Sequence, residues 1–216
     1  MSHIMLRIIL LLAALAATGP VAAVTLTEGV EYERLAAPEP THDPSKIEVL
    51  EVFSYGCIHC FELEPALRAW QARLPPDVEL QYLPATFRPE FQLYARGFYA
   101  AKSLGQLQAT HARVFDALWN EHRQIQSLGD LANLYAGLGV DRARFYEAAQ
   151  SAENRAAVDA AYEKIRRLKV DGTPALYVAG RYHVLANLIS SPEELLQRVD
   201  ALIEMERAAR SQRQRK

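Results

Sequence analysis

The chain has 216 residues, of which 50% are hydrophobic and 23% charged, and its formal net charge is −2. This composition is typical of a globular protein and excludes disordered, collagen-like and coiled-coil chains. The near-neutral charge argues against nucleic-acid binding, and two cysteines are too few for a disulfide scaffold or a four-cysteine zinc site.

The first 23 residues have the pattern of a cleaved secretory signal peptide. Arg7 precedes the apolar run Ile8–Ala17, which is followed by Gly19-Pro20 and by small residues up to Ala23. An uncleaved membrane anchor is the alternative, but the Gly-Pro pair and the small residues favour cleavage. Export would place both cysteines in an oxidising compartment.

The remaining segments predict an α/β sheet interrupted by helices. A short strand near Tyr32–Leu35 and a proline-rich linker come before a strand at Ile47–Ser54. The further predicted elements are a helix from about Cys57 to Leu74, a strand at Val78–Leu83, helices from Phe91 to Leu168 with breaks near Gly105, at Gln126–Gly129 and at Gly137–Val140, strands at Ala175–Val178 and Arg181–Val184 around an Ala179-Gly180 turn, and a helix that begins at Ser191-Pro192. This order predicts a sheet domain formed by residues 24–88 and 160–216, with an all-helical domain, residues 89–159, inserted in it.

Cys57-Ile58-His59-Cys60 follows a strand and opens a helix, and three interpretations of it compete. A structural disulfide is geometrically possible, but so short a loop contributes only about 2 kcal/mol of stability. A zinc site needs two further ligands, and the remaining histidines form no short metal-spaced pair. We therefore expect no metal here.

Redox chemistry explains the position of the pair best. Cys57 would lie at a helix N-terminus, where free N–H groups and the helix dipole favour a thiolate, and protonated His59 would add positive charge. A stabilised thiolate is a good leaving group and makes the disulfide a stronger oxidant. Cys60 falls on the apolar stripe of the helix, so Cys57 is predicted to be the attacked sulfur and Cys60 the shielded one.

Two further positions are candidates for the site. Glu51 lies six positions before Cys57 and shares its strand face with apolar residues. It is either a proton acceptor for Cys60 or an edge-strand glutamate that reaches water. Thr173-Pro174 heads a strand, a place where proline often marks a tight turn and sometimes a cis bond.

The segment Glu51–Cys60 (EVFSYGCIHC), Pro65, and the segment Gly172–Tyr182 (GTPALYVAGRY) together resemble the thioredoxin superfamily and, more narrowly, the DsbA-type periplasmic thiol:disulfide oxidoreductases. The resemblance implies a thioredoxin-like fold with an inserted all-helical domain, and Pro174 in cis facing the cysteines. It also implies that Thr173 offers backbone hydrogen bonds to an extended polypeptide. Glu51 matches the buried acid of the family. Ile58 stands where the family most often has proline, so it is expected to tune the redox potential.

The resemblance implies a periplasmic enzyme that donates its Cys57–Cys60 disulfide to reduced, newly exported proteins through a mixed disulfide on Cys57. A quinone-coupled membrane oxidase of the DsbB type would reoxidise it, no bound cofactor is implied, and we expect a monomer. One alternative is a periplasmic reductase or isomerase, although only Val24–Ser45 precedes the first core strand, which leaves no room for the dimerisation domain of isomerases. The other is a non-catalytic peptide-binding chaperone on the same scaffold.

Overall fold

The computed structural model describes residues 26–187 and 189–215. Its sheet has five strands: β1 (Tyr32–Arg34), β2 (Ile47–Phe53), β3 (Val78–Pro84), β4 (Ala175–Val178) and β5 (Tyr182–Val184). Their order across the sheet is β1-β5-β4-β2-β3, with β2 and β3 parallel and the other pairs antiparallel. The predicted signal peptide, residues 1–23, lies outside the described residues.

Seven helices in the described ranges surround this sheet. They are α1 (Ile58–Gln71), α2 (Pro89–Ser103), α3 (Leu107–Trp119), α4 (Leu128–Gly137), α5 (Arg142–Gln150), α6 (Ala152–Leu168) and α7 (Pro192–Gln214). Ser191 caps α7 by accepting a hydrogen bond from Glu194 N, and Pro192 occupies the first helical position, as the sequence predicts. Within those ranges no helix has the length and apolar character that a membrane crossing requires.

The apolar residues form three clusters that follow the layers of the fold. One face of the sheet packs against α1 and α7 through side chains that include Val49, Leu67 and Leu202. The opposite face packs against α2 and α6 through Val52, Ile165 and neighbouring residues. A third cluster fills the helical segment and reaches back to Cys60. Cys60 therefore lies where the helical segment meets the sheet.

The predicted hairpin is confirmed and has a two-residue turn. Ala179 and Gly180 both have positive φ, 55° and 59°, which is the left-handed conformation that tight hairpin turns require. A Cβ atom on Gly180 would lie 2.1 Å from the carbonyl oxygen of Glu39, so the linker before β2 can approach this turn only because residue 180 is glycine.

The helical segment contains one break more than the sequence indicated. The prediction of unbroken helix from Val140 to Leu168 was wrong, because Ser151 separates α5 from α6. Ser151 has an extended backbone, and its side chain accepts a hydrogen bond from Asn154 N at 3.0 Å, which begins a new helix. The boundary proposed between residues 159 and 160 falls within α6, and the division into domains stays a prediction.

Candidate active site

Cys57 is placed by the turn that joins β2 to α1. Its backbone is extended (φ −106°, ψ 118°) at the N-cap position of α1, and its N–H donates to Ser54 O at 3.0 Å. A Cβ atom on the preceding residue, Gly56, would lie 2.9 Å from the Tyr94 ring, so glycine lets α2 approach this turn closely. Cys57 is partly exposed, Cys60 is fully buried, and both are free thiols.

The two thiols have opposite acidities. The pKa of Cys57 is lowered to about 5, although burial alone would raise it. The lowering is caused by hydrogen bonds from the Cys60 thiol, from the Thr173 side chain and from the backbone N–H groups of Cys60 and His59. Burial is the main reason why the pKa of Cys60 rises far above that of a free thiol, and the hydrogen bond to Cys57 adds to it. At neutral pH the pair is therefore a thiolate, Cys57, hydrogen-bonded by a thiol, Cys60.

Thr173 and Pro174 lie directly against the cysteine pair, although more than a hundred residues separate them in sequence. In its thiol form Cys57 donates a hydrogen bond to Thr173 O, with Sγ and O 3.2 Å apart. The Thr173-Pro174 peptide bond is cis, as the resemblance implied. The loop before β4 thus presents backbone groups beside the exposed sulfur.

His59 and Ile58 are both exposed on the first turn of α1. His59 Nδ1 donates to Glu62 Oε2 at 2.9 Å, and this contact raises the pKa of His59. The negative charge of the Cys57 thiolate raises it further, and by reciprocity the protonated ring favours the thiolate. A cavity of about 370 Å³ is lined by His59, Thr173 and Pro174 together with apolar residues that include Leu63, Ile189 and Leu195, and we call it the active-site groove.

Glu51 lies in the interior of the sheet. Its strand has neighbours on both sides, with Glu51 opposite Tyr82 of β3 and Leu176 of β4, so the alternative of an edge-strand glutamate was wrong. The residue is only 3% exposed. Burial, reinforced by the nearby charges of Glu64 and Cys57, raises its pKa well above the usual value, and its own charge raises the pKa of Cys60.

A second buried polar group, which the sequence reasoning missed, lies behind the cysteines. Glu64 is 7% exposed and its Oε2 is 3.8 Å from His111 Nε2, while His111 Nδ1 and the Tyr55 hydroxyl are hydrogen-bonded at 2.8 Å. Burial raises the pKa of Glu64 to about 7 and lowers that of His111 to about 3. One signal for Glu64 was available: it lies four residues after Cys60, on the apolar stripe of the helix.

Among residues 26–215, residue 188 aside, no three or more His, Cys, Asp or Glu side chains are arranged so that they could hold a metal ion. The cysteine site itself combines a partly exposed sulfur with a lowered pKa, a buried sulfur with a raised pKa, and the buried carboxyl of Glu51.

Comparison with known proteins gives a consistent result. Residues 48–199 match the family described as "DSBA-like thioredoxin domain". The chain is 37% identical over 187 residues to "Thiol:disulfide interchange protein DsbA" of Pseudomonas aeruginosa, an alignment that covers 85% of this chain and 87% of that protein. A relative of the same name from Pseudomonas syringae is 31% identical and covers 97% of this chain and 98% of its own length.

Solved structures agree in fold. The crystal structure of Pseudomonas aeruginosa DsbA superposes with a TM-score of 0.82 at 35% identity, over 86% of this chain and 97% of that one. The oxidoreductase DsbA from Xylella fastidiosa gives a TM-score of 0.79 at 32% identity, over 85% and 98%. The predicted thioredoxin-like fold with a helical insertion is thereby confirmed. This chain belongs to the DSBA-like thioredoxin family and is a thiol:disulfide oxidoreductase.

Proposed function

We propose that the Cys57–Cys60 disulfide is donated to reduced polypeptides through a mixed disulfide on Cys57. The observation that carries this proposal is the contrast between the two sulfurs, because Cys57 is accessible with a pKa of about 5, whereas Cys60 is fully buried with a raised pKa. A substrate thiolate can reach only the first, and the first is also the better leaving group.

The exchange has two steps. A substrate thiolate attacks Cys57 Sγ, the bond between the two enzyme sulfurs breaks, and its electron pair leaves on Cys60, which takes up a proton. A second substrate thiolate then attacks the substrate sulfur of the mixed disulfide, and Cys57 departs as a thiolate. The substrate loses two electrons and the enzyme gains them. The hydrogen bond from the protonated Cys60 stabilises the Cys57 thiolate that results.

Glu51 exchanges the proton with Cys60 in this scheme. Since its pKa is raised well above the ordinary value, a protonated Glu51 is available when Cys60 leaves the disulfide. In the reverse direction, reoxidation requires Cys60 to lose its proton inside the protein, and Glu51 is the acceptor.

The active-site groove binds the polypeptide in extended form. At neutral pH Cys57 has no S–H to donate, either as a thiolate or in the disulfide, so Thr173 O is free to accept a hydrogen bond from a substrate backbone N–H. Pro174 and the apolar residues of the groove contact substrate side chains without a polar match, which suits many sequences. Ile58, exposed between the cysteines, tunes the redox potential.

We place this chemistry in the periplasm, with newly exported cysteine-containing proteins as substrates and a quinone-coupled membrane oxidase of the DsbB type as the source of oxidising equivalents. The signal-like pattern of residues 1–23 and the family membership support this assignment. The enzyme acts as a monomer and needs no bound cofactor.

Two variants test the proposal with reduced ribonuclease A as the substrate. Cys57→Ser is expected to abolish disulfide transfer, since no sulfur can be attacked. Cys60→Ser is mixed instead with scrambled ribonuclease A, whose disulfides are accessible. Its Cys57 thiolate is expected to attack one of them, release the other substrate sulfur as a thiolate, and accumulate a mixed disulfide detectable on non-reducing gels and by mass spectrometry. A Cys57→Ser protein that still oxidises ribonuclease A would exclude the mechanism.

The equilibrium with glutathione separates this proposal from the reductase alternative. We expect a potential well above that of the glutathione couple. A potential near that of thioredoxin, about −270 mV, would show that the pair is built to reduce disulfides and would overturn the donor role.

A further inference from the structure

A second cavity, of about 750 Å³, lies between α1, β3, α2 and α3. It shares no lining residue with the active-site groove, and neither cysteine lines it. Its size is within the range typical of sites for small organic molecules. The two cavities are therefore distinct, and we call this one the rear cavity.

The rim of the rear cavity is cationic. Arg68, Lys102 and Arg113 come from three different helices and all line it. All three are exposed, and none of them forms a salt bridge with another described residue. The lining also contains the carboxyl of Glu64, which adds at most one negative charge. The net charge of the lining therefore stays positive, which favours an anionic ligand.

The floor of the rear cavity carries an unused hydrogen-bonding atom. His111 is 6% exposed, and its Nε2 is buried with no hydrogen-bond partner among the described residues, being 3.8 Å from Glu64 Oε2. Buried ring nitrogens are almost always satisfied, so an unpartnered one beside a cavity marks a place for a ligand atom. Glu64, with a pKa raised by burial to about 7, adds a proton that a ligand oxygen can accept.

The walls combine apolar and aromatic side chains, among them Leu80, Tyr82, Phe98 and Leu107, with the glutamines Gln71, Gln81 and Gln108. A free phosphate would use the rim but not these walls. A carboxylate pairs with the planar guanidinium of Arg68 or Arg113 through two parallel hydrogen bonds, and an attached ring would cover the aromatic side chains. We propose that the rear cavity binds a small aromatic carboxylate, with the anion between the three cations and His111 and the ring against the partly exposed Tyr82 and Leu107.

A titration of the full protein with 2-naphthoate, followed by two-dimensional NMR of the backbone amides, tests the proposal. We expect saturable shifts that centre on Lys102 and His111–Arg113 and leave Thr173 unmoved. The uncharged analogue 2-naphthamide is expected to bind at least about fivefold more weakly, because it cannot pair with the rim cations.

Matched variants separate this site from a general effect of charge. Lys102→Gln with Arg113→Gln is expected to raise the Kd for 2-naphthoate at least about fivefold. Arg73→Gln with Arg215→Gln removes the same charge from exposed positions outside the cavity, and its Kd should stay within about twofold of the original protein's. Both variants should retain disulfide exchange, since they spare the cysteines. The proposal would be overturned if 2-naphthoate showed no saturable binding, or if 2-naphthamide bound equally well. It would also be overturned if both double variants lost affinity for 2-naphthoate equally, or if the NMR shifts centred on Thr173.

Discussion

The two cysteines occupy different electrostatic environments although only two residues separate them. Cys57 sits at the N-cap of α1 with backbone N–H groups directed toward its sulfur, whereas Cys60 is one turn further, inside the apolar cluster. The start of a helix provides both environments, because its first N–H groups lack intrahelical partners and its next turn faces the core. The low pKa of Cys57 and the burial of Cys60 therefore follow from their positions at this helix start.

The pH dependence of the redox potential follows from the pKa of Cys57, about 5. Above that pH, reduction binds two electrons and one proton, because Cys57 stays a thiolate and only Cys60 is protonated. The potential should then fall by about 30 mV per pH unit, and by about 60 mV per unit below pH 5, where both sulfurs take up protons. Equilibration with glutathione from pH 4 to 8 measures this. A single slope of about 60 mV through pH 8 would contradict the assignment.

Replacing His59 tests its contribution to the thiolate. His59→Ala removes a ring whose positive charge favours the Cys57 thiolate, so the pKa of Cys57 should rise and the potential of the pair should fall. Because His59 is exposed, we expect a change of no more than about one pH unit in that pKa. Ultraviolet absorbance of the thiolate during a pH titration gives the value.

His42→Ala is the matched control, since His42 is also exposed and also contacts a glutamate, with Nδ1 3.2 Å from Glu79 Oε1. It lies outside the site and should leave the pKa of Cys57 unchanged. Equal effects of the two substitutions would show that His59 has no specific role.

Helix α1 connects the redox chemistry to the main core. Its first turn carries the cysteines, while Leu63, Leu67 and Trp70 pack between the sheet and α7. Trp70 Nε1 donates to Asp200 Oδ1 of α7 at 2.7 Å, which adds a polar contact to that apolar interface. The position of Cys57 is therefore fixed by packing two and three turns away from it.

Truncation of Leu67 should destabilise the protein strongly. The side chain is fully buried, so Leu67→Ala leaves a cavity and should lower the free energy of unfolding by about 2–5 kcal/mol. Leu74→Ala, at a partly buried position beyond the same helix, should cost less than half as much. Urea denaturation of the oxidised protein measures both values, and equal losses would mean that the cluster around Leu67 is not the core described above.

The helical segment contacts the active site through residues that are far from it in sequence. Trp119 Nε1 donates to Tyr55 O at 2.9 Å, and the Tyr55 hydroxyl bonds to His111, so α3 holds the turn just before Cys57 from two sides. Glu64 of α1 faces the same histidine. The helical insertion is thus part of the scaffold that holds the redox site.

The protonation of Glu64 makes the stability of the whole molecule depend on pH. Its pKa is about 7 when folded and about 4.3 in an unfolded chain, so the folded state holds a proton that the unfolded state releases between these values. This bound proton stabilises the folded state fully below about pH 4, and its stabilising effect is lost as the pH rises through 7. Relative to a Glu64→Gln variant, the free energy of unfolding of the oxidised protein should fall by on the order of 3 kcal/mol between pH 4 and 8.

Urea denaturation of both proteins at several pH values provides the comparison, and using the oxidised form removes any contribution from thiol titration. If the difference between wild type and variant stays constant over this range, Glu64 ionises with an ordinary pKa in the folded protein.

Local patterns were sufficient for the redox pair and for most elements. The position of Cys57 at a helix start, the burial of Cys60 on the stripe with Leu63 and Leu67, and the Ala179-Gly180 turn all depend on neighbours within a few residues. Such features follow from backbone geometry and side-chain periodicity, which any segment carries with it. The extra break at Ser151 was missed because a capping serine also occurs inside helices, and its role depends on where the next helix packs.

The long-range features had no counterpart in local patterns. The pattern around Glu51 fits both a buried carboxyl and an edge-strand glutamate, and only the strand order, with β2 between β3 and β4, excludes the edge position. That order depends on pairing across more than a hundred residues. The contact of Glu64 with His111, and the cationic rim around both, likewise arise only when α3 packs against α1. A residue's spacing predicts which face of its own element it occupies, but burial and pKa depend on what packs against that face, and this is set by the fold as a whole.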